Sequence, residues 1–422
     1  MKKQFINLIL AMLFSLPVSS QKFDGLAQTP PMGFNTWNTF FGNINEQLIR
    51  DVADIFVSSG LKDAGYEYIV IDDCWSAKQR DANGDLVPDS VKFPHGIKAL
   101  ADYIHSKGLK IGIYGDAGRE TCAGYPGSRG HEYQDARRFA EWGVDYLKYD
   151  WCNTLTPHPT DVKITLMSDR EAYAAECYET MRDALFTAGR PVLFSICEGG
   201  LNQCWNWAPE IGHIWRTTPD IRPEFRVRDK PEVWFHLNIL EILDLRNQNE
   251  IRKIAGPGHW NDMDMLQAGN GKLTLHENQS HFALWAILNS PLMLGNDLRI
   301  MTEELRQILT NKEIIAVNQD RLGIQAFCHK YQDSIQIFAK PLADGDWAML
   351  FLNRGDTAKE FVHDWAKEPL QDDYFHHAVS FDTSHVFKIR DLYAGKEIGN
   401  TKKPLKIKLE SHQSLVLRLK KG

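Results

Sequence analysis

Short apolar runs recur along the chain, and each ends in polar or charged residues: YIVIDD (68–73), KIGIYGD (110–116), DYLKYD (145–150), PVLFSICE (191–198) and HIWRTTPD (213–220). Between them lie stretches with helical character, among them Gly96 to Lys107 and Arg170 to Leu185. Strands alternating with helices predict βαβ units and a parallel sheet, and near-continuous apolar strands predict burial on both faces. GFNTWN (33–38) supplies a first strand, while HWNDMDML (259–266) and PLMLGNDL (291–298) bring the set to eight. Eight units over about 300 residues fit a (β/α)8 TIM barrel better than an open doubly wound sheet. No G-x-G-x-x-G follows the first strand to suggest a dinucleotide site.

Beyond residue 325 the pattern changes. SIQIFAK (334–340), DWAMLFLN (346–353), HVFKIRDL (385–392), PLKIKLE (404–410) and SLVLRLK (414–420) alternate in the β manner, with turn signals such as Asp344-Gly345, Arg354-Gly355 and Ala394-Gly395. They predict a C-terminal antiparallel β-sandwich over residues 326–422. With no Pro/Ser-rich linker, it should pack directly on a barrel spanning 21–325. Residues 1–20 read as a cleavable signal peptide: Lys2 and Lys3, an apolar stretch from Phe5 to Leu16, then Pro17 and the small Val18-Ser19-Ser20. That apolar stretch is too short to cross a bilayer, which takes about 20 residues, and no cysteine stands at the cleavage point to carry a lipid. The expected destination is the periplasm or the medium, with no membrane anchor.

Composition narrows the function classes. With 43% of residues hydrophobic the chain can bury a sizeable core. Its net charge of −7, becoming −9 once Lys2 and Lys3 are removed, comes without a basic run. Nucleic acid and anionic membranes are therefore poor partners. The 12 Trp, 13 Tyr and 21 Phe suit a protein that offers flat apolar surfaces to sugar rings. An odd set of seven cysteines leaves at least one thiol free, and no C-x2-C pair suggests structural zinc.

In such barrels the chemistry sits at the C-terminal ends of the strands. Those ends carry Asp72, Asp73, Tyr114, Asp116, Lys148, Asp150, Glu198, Arg216, Asp220, Asp262 and Asp264. An ionisable group after nearly every strand is more than solvation needs. Two chemistries compete. Asp72, Asp150 and Asp264 could hold Mg2+ or Ca2+ for a metal-dependent hydrolase, with His259 the nearby imidazole. Sugar hydrolysis instead uses one carboxylate to attack or to activate water and another to protonate the leaving oxygen. Trp37, Trp75, Tyr114, Trp151 and Trp215, near the same strand ends, would give the apolar sugar face a platform. No G-x-S-x-G or P-loop pattern competes.

Several ordered motifs then settle the comparison: PPMGFNTWN (30–38), YIVIDDCW (68–75), IGIYGDAGRETCAGYPGS (111–128), YLKYDWCN (146–153), WRTTPDI (215–221), WNDMDML (260–266) and AVNQDRLG (316–323). Through them the chain resembles the retaining α-galactosidases and α-N-acetylgalactosaminidases of family 27 of the glycoside hydrolases. The resemblance implies that Asp150 is the nucleophile, held ionised beside Lys148, and that Asp220 is the acid/base, with the higher pKa of the two. It gives Asp72 and Asp73 the galactose O4 and O6, Lys148 the O3 and O4, and Arg216 the O2 and O3 side. Trp37 and Tyr114 would wall the ring. Glu198 would face a free 2-hydroxyl, favouring α-galactosidase over α-N-acetylgalactosaminidase, and the Asp72–Asp73 pair favours galactose over β-L-arabinopyranose. Asp262 and Asp264 read mainly as structural. The resemblance also implies a Cys122–Cys152 disulfide, no metal and no cofactor, with an α-galactoside as the partner. Cys74 lacks its usual partner because Gly42 stands where the family often has cysteine, and a Cys197–Cys204 bond is considered.

Overall fold

Eight parallel strands form one sheet: β1 (Met32–Asn35), β2 (Tyr68–Ile71), β3 (Lys110–Asp116), β4 (Tyr146–Asp150), β5 (Leu193–Cys197), β6 (Ile214–Arg216), β7 (Trp260–Asp262) and β8 (Leu292–Leu294). Their spatial order is β8-β1-β2-β3-β4-β5-β6-β7. Leu266, just past β7, bridges Leu294 of β8 in parallel and so joins the two ends of the sheet. The expected (β/α)8 barrel is the fold. This computed structural model describes residues 22–154, 167–229, 235–245 and 251–421, and the signal-peptide reading lies outside them.

Strand pleating sorts the side chains into two cores, because successive residues point to opposite faces. Tyr68, Val70, Tyr146, Leu193, Ile214, Trp260 and Met293 fill the barrel interior as one cluster. Their neighbours Ile69, Ile71, Ile111, Ile113, Leu147, Phe194, Ile196, Trp215, Leu292 and Leu294 face the surrounding helices in another. Gly112 takes an interior position that a side chain could not: a Cβ there would lie 2.7 Å from Val70 Cγ2 and 3.1 Å from Tyr146. The space goes to the Tyr68 and Tyr146 rings, whose centroids are 5.5 Å apart.

The C-terminal part is built on a six-stranded antiparallel sheet. Its strands are β9 (Phe327–Gln332), β10 (Ile335–Pro341), β11 (Trp347–Asn353), β15 (Phe387–Asp391), β16 (Lys396–Asn400) and β18 (Ser414–Lys421), in the order β9-β10-β11-β18-β15-β16. Two small ladders accompany it, β12 (Lys359–His363) with β17 (Leu405–Leu409) and β13 (Leu370–Asp372) with β14 (His377–Val379). On β11, Ala348, Leu350 and Leu352 join the barrel's outer core, whereas Trp347, Met349 and Phe351 join a separate core under the small ladders. Every residue of β11 is therefore buried. Between barrel and sheet lies the helix Leu275–Ile287, opened by a capping box of Thr274 and Glu277 and buried throughout from Ser280 to Ile287. A buried ion pair of Arg252 with Asp372, at 2.6 Å, crosses to the β13–β14 ladder.

Candidate active site

The interior positions that carry apolar residues low in the barrel carry polar ones at its C-terminal mouth. Two residues above Val70 comes Asp72, above Gly112 Tyr114, and above Tyr146 Lys148 and then Asp150. Leu193 is followed in the same way by Ser195 and Cys197, and Ile214 by Arg216. Of the residues read from the sequence, Trp37, Asp72, Asp73, Tyr114, Lys148, Asp150, Arg216 and Asp220 line one cavity, together with Asn38, Cys122, Cys197, Asp264 and Met265.

One wall is a carboxylate–ammonium pair. Asp72 Oδ2 accepts from Lys148 Nζ at 2.7 Å and from Asn35 Nδ2 at 2.7 Å, while its Oδ1 accepts the Asp73 N–H at 2.9 Å. The backbone turns here, with Cys74 in the left-handed region at φ 72°. Asp73 is swung into the cavity by that turn and accepts the N–H groups of Cys74 and Ala123 at 2.6 and 3.0 Å. Burial raises its carboxyl above the usual range.

Asp150 ends β4. Its Oδ2 accepts the Tyr114 hydroxyl at 2.9 Å and its Oδ1 the Trp151 N–H at 2.8 Å. Burial pushes this carboxyl up to about 6, against the pull of Lys148. Asp220 lies at the rim with 58% of its side chain exposed, yet its Oδ1 turns inward to Arg216 Nη2 at 3.1 Å. Burial of the inward oxygen acts to raise its pKa, but Arg216 and then Lys148 outweigh it, and the carboxyl is held below the usual range. In the free site this order reverses the sequence expectation of a low nucleophile and a high acid. The causes are the burial of Asp150 and the Arg216–Asp220 ion pair, which no motif announces.

Asp264, read as mainly structural, bonds a loop at the barrel mouth and also lines the cavity. It occupies the left-handed region at φ 77°, an arrangement that costs on the order of 1 kcal/mol and must be held by its surroundings. Its Oδ2 accepts the Ile221 N–H at 2.8 Å and meets Arg216 Nη2 at 3.0 Å, and Oδ1 accepts the Met265 N–H at 2.7 Å. Trp285 Nε1, on the buried helix, donates to the Asp264 carbonyl at 2.7 Å. Asp264 therefore fixes both Arg216 and the backbone beside Asp220. The sequence signal was present in WNDMDML, two residues beyond a strand end, but spacing does not reveal which loop it holds.

Glu198 follows Cys197 just past the end of β5. It is 2% exposed and does not line the cavity. Instead it accepts the Asn202 N–H and side-chain amide at 2.6 and 3.1 Å, pinning its own loop, and burial pushes it up to about 7. Cys197 takes the place beside Arg216. The Cys197–Cys204 bond is not formed, since both are free thiols and Cys204 Sγ donates to the Arg216 carbonyl at 3.2 Å. Cys122 and Cys152 are bonded, with Cα atoms 5.1 Å apart. Asp116 lies beneath that disulfide, accepting the Gly118 and Cys152 N–H groups at 2.6 and 3.0 Å.

Asp72, Asp150 and Asp264, the cation set read from the sequence, share the cavity but do not form a cluster with ligand-like spacing among the described residues. Asp72 is committed to Lys148 and Asp264 to Arg216. Among the described residues, the one cluster with ligand-like spacing is Asp116, Cys122, Asp150 and Cys152, and its two sulfurs are joined to each other. What remains is a cavity lined by the carboxylates of Asp150 and Asp220, the cations Lys148 and Arg216 and the rings of Trp37 and Tyr114, an arrangement suited to acid/base and nucleophilic chemistry on a polyhydroxylated ring.

Comparison with known proteins agrees. Residues 29–320 match the family model described as alpha galactosidase A, and residues 332–419 match that of the alpha galactosidase C-terminal beta sandwich domain. The chain is 51% identical to alpha-galactosidase A of Cellvibrio japonicus over 422 residues, covering 99% of both chains. It superposes on the crystal structure of alpha-galactosidase I from Mortierella vinacea with a TM-score of 0.84 at 37% identity, covering 94% of this chain and 98% of that one. Against the Saccharomyces cerevisiae α-galactosidase with raffinose the TM-score is 0.85 at 31% identity, covering 96% and 99%. The chain belongs to the α-galactosidase A family of glycoside hydrolases.

Proposed function

We propose that this chain is a retaining exo-α-galactosidase, releasing terminal non-reducing α-D-galactosyl residues from oligosaccharides, polysaccharides or glycoconjugates. The observation that carries the reading is that Asp150 and Asp220 wall one cavity with the Asp72–Lys148 pair and Arg216. In the first step an Asp150 oxygen bonds to the anomeric carbon, the glycosidic bond breaks, and Asp220 gives its proton to the departing oxygen. In the second, Asp220 takes a proton from water, whose oxygen replaces the aspartyl ester. Tyr114, donating to Asp150, holds the attacking carboxylate in place. Asp72 and Asp73 accept from the axial O4 and from O6, and an epimer with an equatorial O4 forfeits the bond made to the axial hydroxyl. Sugar hydroxyls that engage Arg216 weaken its hold on Asp220. The acid's pKa then rises as substrate binds, which restores the order the reaction needs.

The test is hydrolysis of p-nitrophenyl α-D-galactopyranoside beside its N-acetylgalactosaminide and β-L-arabinopyranoside counterparts. The galactoside should be turned over fastest by a wide margin, and a preference for either rival would refute the substrate assignment. Asp150→Ala should lose essentially all turnover on every substrate. Asp220→Ala should retain more on leaving groups that need no proton, and equal mild losses in both variants would refute the roles. We also infer export through a cleaved signal peptide at residues 1–20. The Cys122–Cys152 disulfide supports an oxidising destination, and N-terminal sequencing of the exported protein should begin near Gln21.

A further inference from the structure

We infer that His236 binds the leaving group and favours galactosides whose aglycone is itself a sugar; the inference rests on the glycosidase reading above. Outside the barrel, Asp220–Ile221 and His236–Leu237 form a two-residue parallel ladder in which Asp220 is paired with His236. The Asp220 N–H donates to the Phe235 carbonyl at 3.1 Å and the Arg222 N–H to the Leu237 carbonyl at 2.7 Å. Directly paired residues of a ladder present their side chains to one face, about 4.8 Å apart. Asp220 directs its carboxyl inward to Arg216, and the exposed His236, its ladder partner, presents its imidazole beside it on the same face.

The glycosidic oxygen receives its proton from Asp220, so the group that carries this oxygen away must extend outward past it. A strand spacing further on, it reaches His236. An imidazole can donate to or accept from a hydroxyl, which a sugar ring offers there and a nitrophenyl ring does not. The backbone beneath it is held by side chains. Arg228 Nη2 donates to the His236 carbonyl at 2.6 Å, and Glu241 in turn holds both Arg228, at 2.7 Å, and the Asn238 N–H, at 2.8 Å. Phe235, 53% exposed, falls on the opposite face of the ladder by the same pleat rule and does not compete for this position.

The experiment compares kcat/KM on melibiose, an α-1,6-linked galactosyl-glucose, with that on p-nitrophenyl α-D-galactopyranoside for the full-length enzyme, His236→Ala and His236→Gln. His236→Ala should lose about tenfold on melibiose, mainly through KM, and no more than about twofold on the aryl galactoside. His236→Gln, which keeps a donor and an acceptor, should recover part of the loss. Inhibition by free galactose, which reports the sugar cavity alone, should move less than twofold. Parallel losses on both substrates, or none on melibiose, would overturn the assignment. A wild-type enzyme that leaves the aryl galactoside intact would instead sink the glycosidase reading on which it rests.

Discussion

At Asp150 activity and stability should be separable by one substitution, Asp150→Asn. Burial raises this carboxyl to about 6 from an ordinary 3.8. A group with a raised folded pKa binds its proton more tightly in the native state than in the unfolded chain. Its contribution is fully favourable below pH 3.8 and is lost as pH climbs through 6, so at neutral pH the buried charge is a net cost. At 1.36 kcal/mol per pH unit, the gap amounts to about 3 kcal/mol. Asparagine removes the charge, but its single oxygen can keep only one of the Tyr114 and Trp151 donors, returning about 1 kcal/mol. The variant should therefore be about 2 kcal/mol more stable than the parent at pH 7.5 and about 1 kcal/mol less stable at pH 4, while turnover disappears. Urea denaturation followed by tryptophan fluorescence at the two pH values measures both numbers. A variant no more stable at pH 7.5, or a difference that does not move with pH, would refute the argument that burial sets the charge state of Asp150.

Three further outcomes follow from the packing. A Cβ at Gly42 would lie 3.4 Å from Cys74 Cβ and 3.1 Å from its sulfur, close to disulfide spacing; Gly42→Cys should oxidise spontaneously. Closing a loop of about 33 residues adds up to about 3–4 kcal/mol in the chain-entropy model, read as a Tm that falls on reduction and as one titratable thiol fewer than the parent's five. Lys340 is fully buried, donates to Asn289 Oδ1 and the Val317 carbonyl, and is pushed down to about 7 by burial. A base with a lowered folded pKa penalises the native state below that value and releases the penalty as pH rises toward 10.5. The parent should thus gain stability between pH 7 and 10 relative to Lys340→Met, and parallel pH profiles would contradict it. Asp264→Asn removes the charge that faces Arg216 and must turn its amide either toward Arg216 and the Ile221 N–H together or toward the Met265 N–H, so kcat should fall at least tenfold on substrates with poor leaving groups and less on activated ones, with a stability loss of about 1–3 kcal/mol. An equal effect on both substrate types would show that Asp264 does not place the acid.

The barrel was legible because its strands are buried on two faces: YIVI, KIGIYGD and YLKYD survive as strands almost to the residue. The short β12, β13 and β14 were not, since their alternation is brief and the partner of β12 lies far along the chain. The cavity-lining residues were legible for the same geometric reason, as polar residues on the inward face of each strand end. Glu198 lies one position past the inward Cys197, beyond the end of β5, where its carboxyl accepts from Asn202. The carboxylate pKa order was beyond any motif: it depends on how deeply Asp150 is buried and on Arg216, which meets both Asp220, four residues away in sequence, and the remote Asp264. His236 gave no signal, since it reaches Asp220 only through a ladder of two residues.

The helix Leu275–Ile287 gives the C-terminal sheet a hand in the chemistry. Glu277 at its start is gripped by His412 of the sheet domain, at 2.7 Å, and Trp285 near its end holds the Asp264 carbonyl. Strain relieved anywhere along that relay would let the proton donor drift without touching the sugar. Loss-of-function substitutions should therefore scatter through the β-sandwich, and its removal should disable the barrel, leaving no minimal enzyme behind.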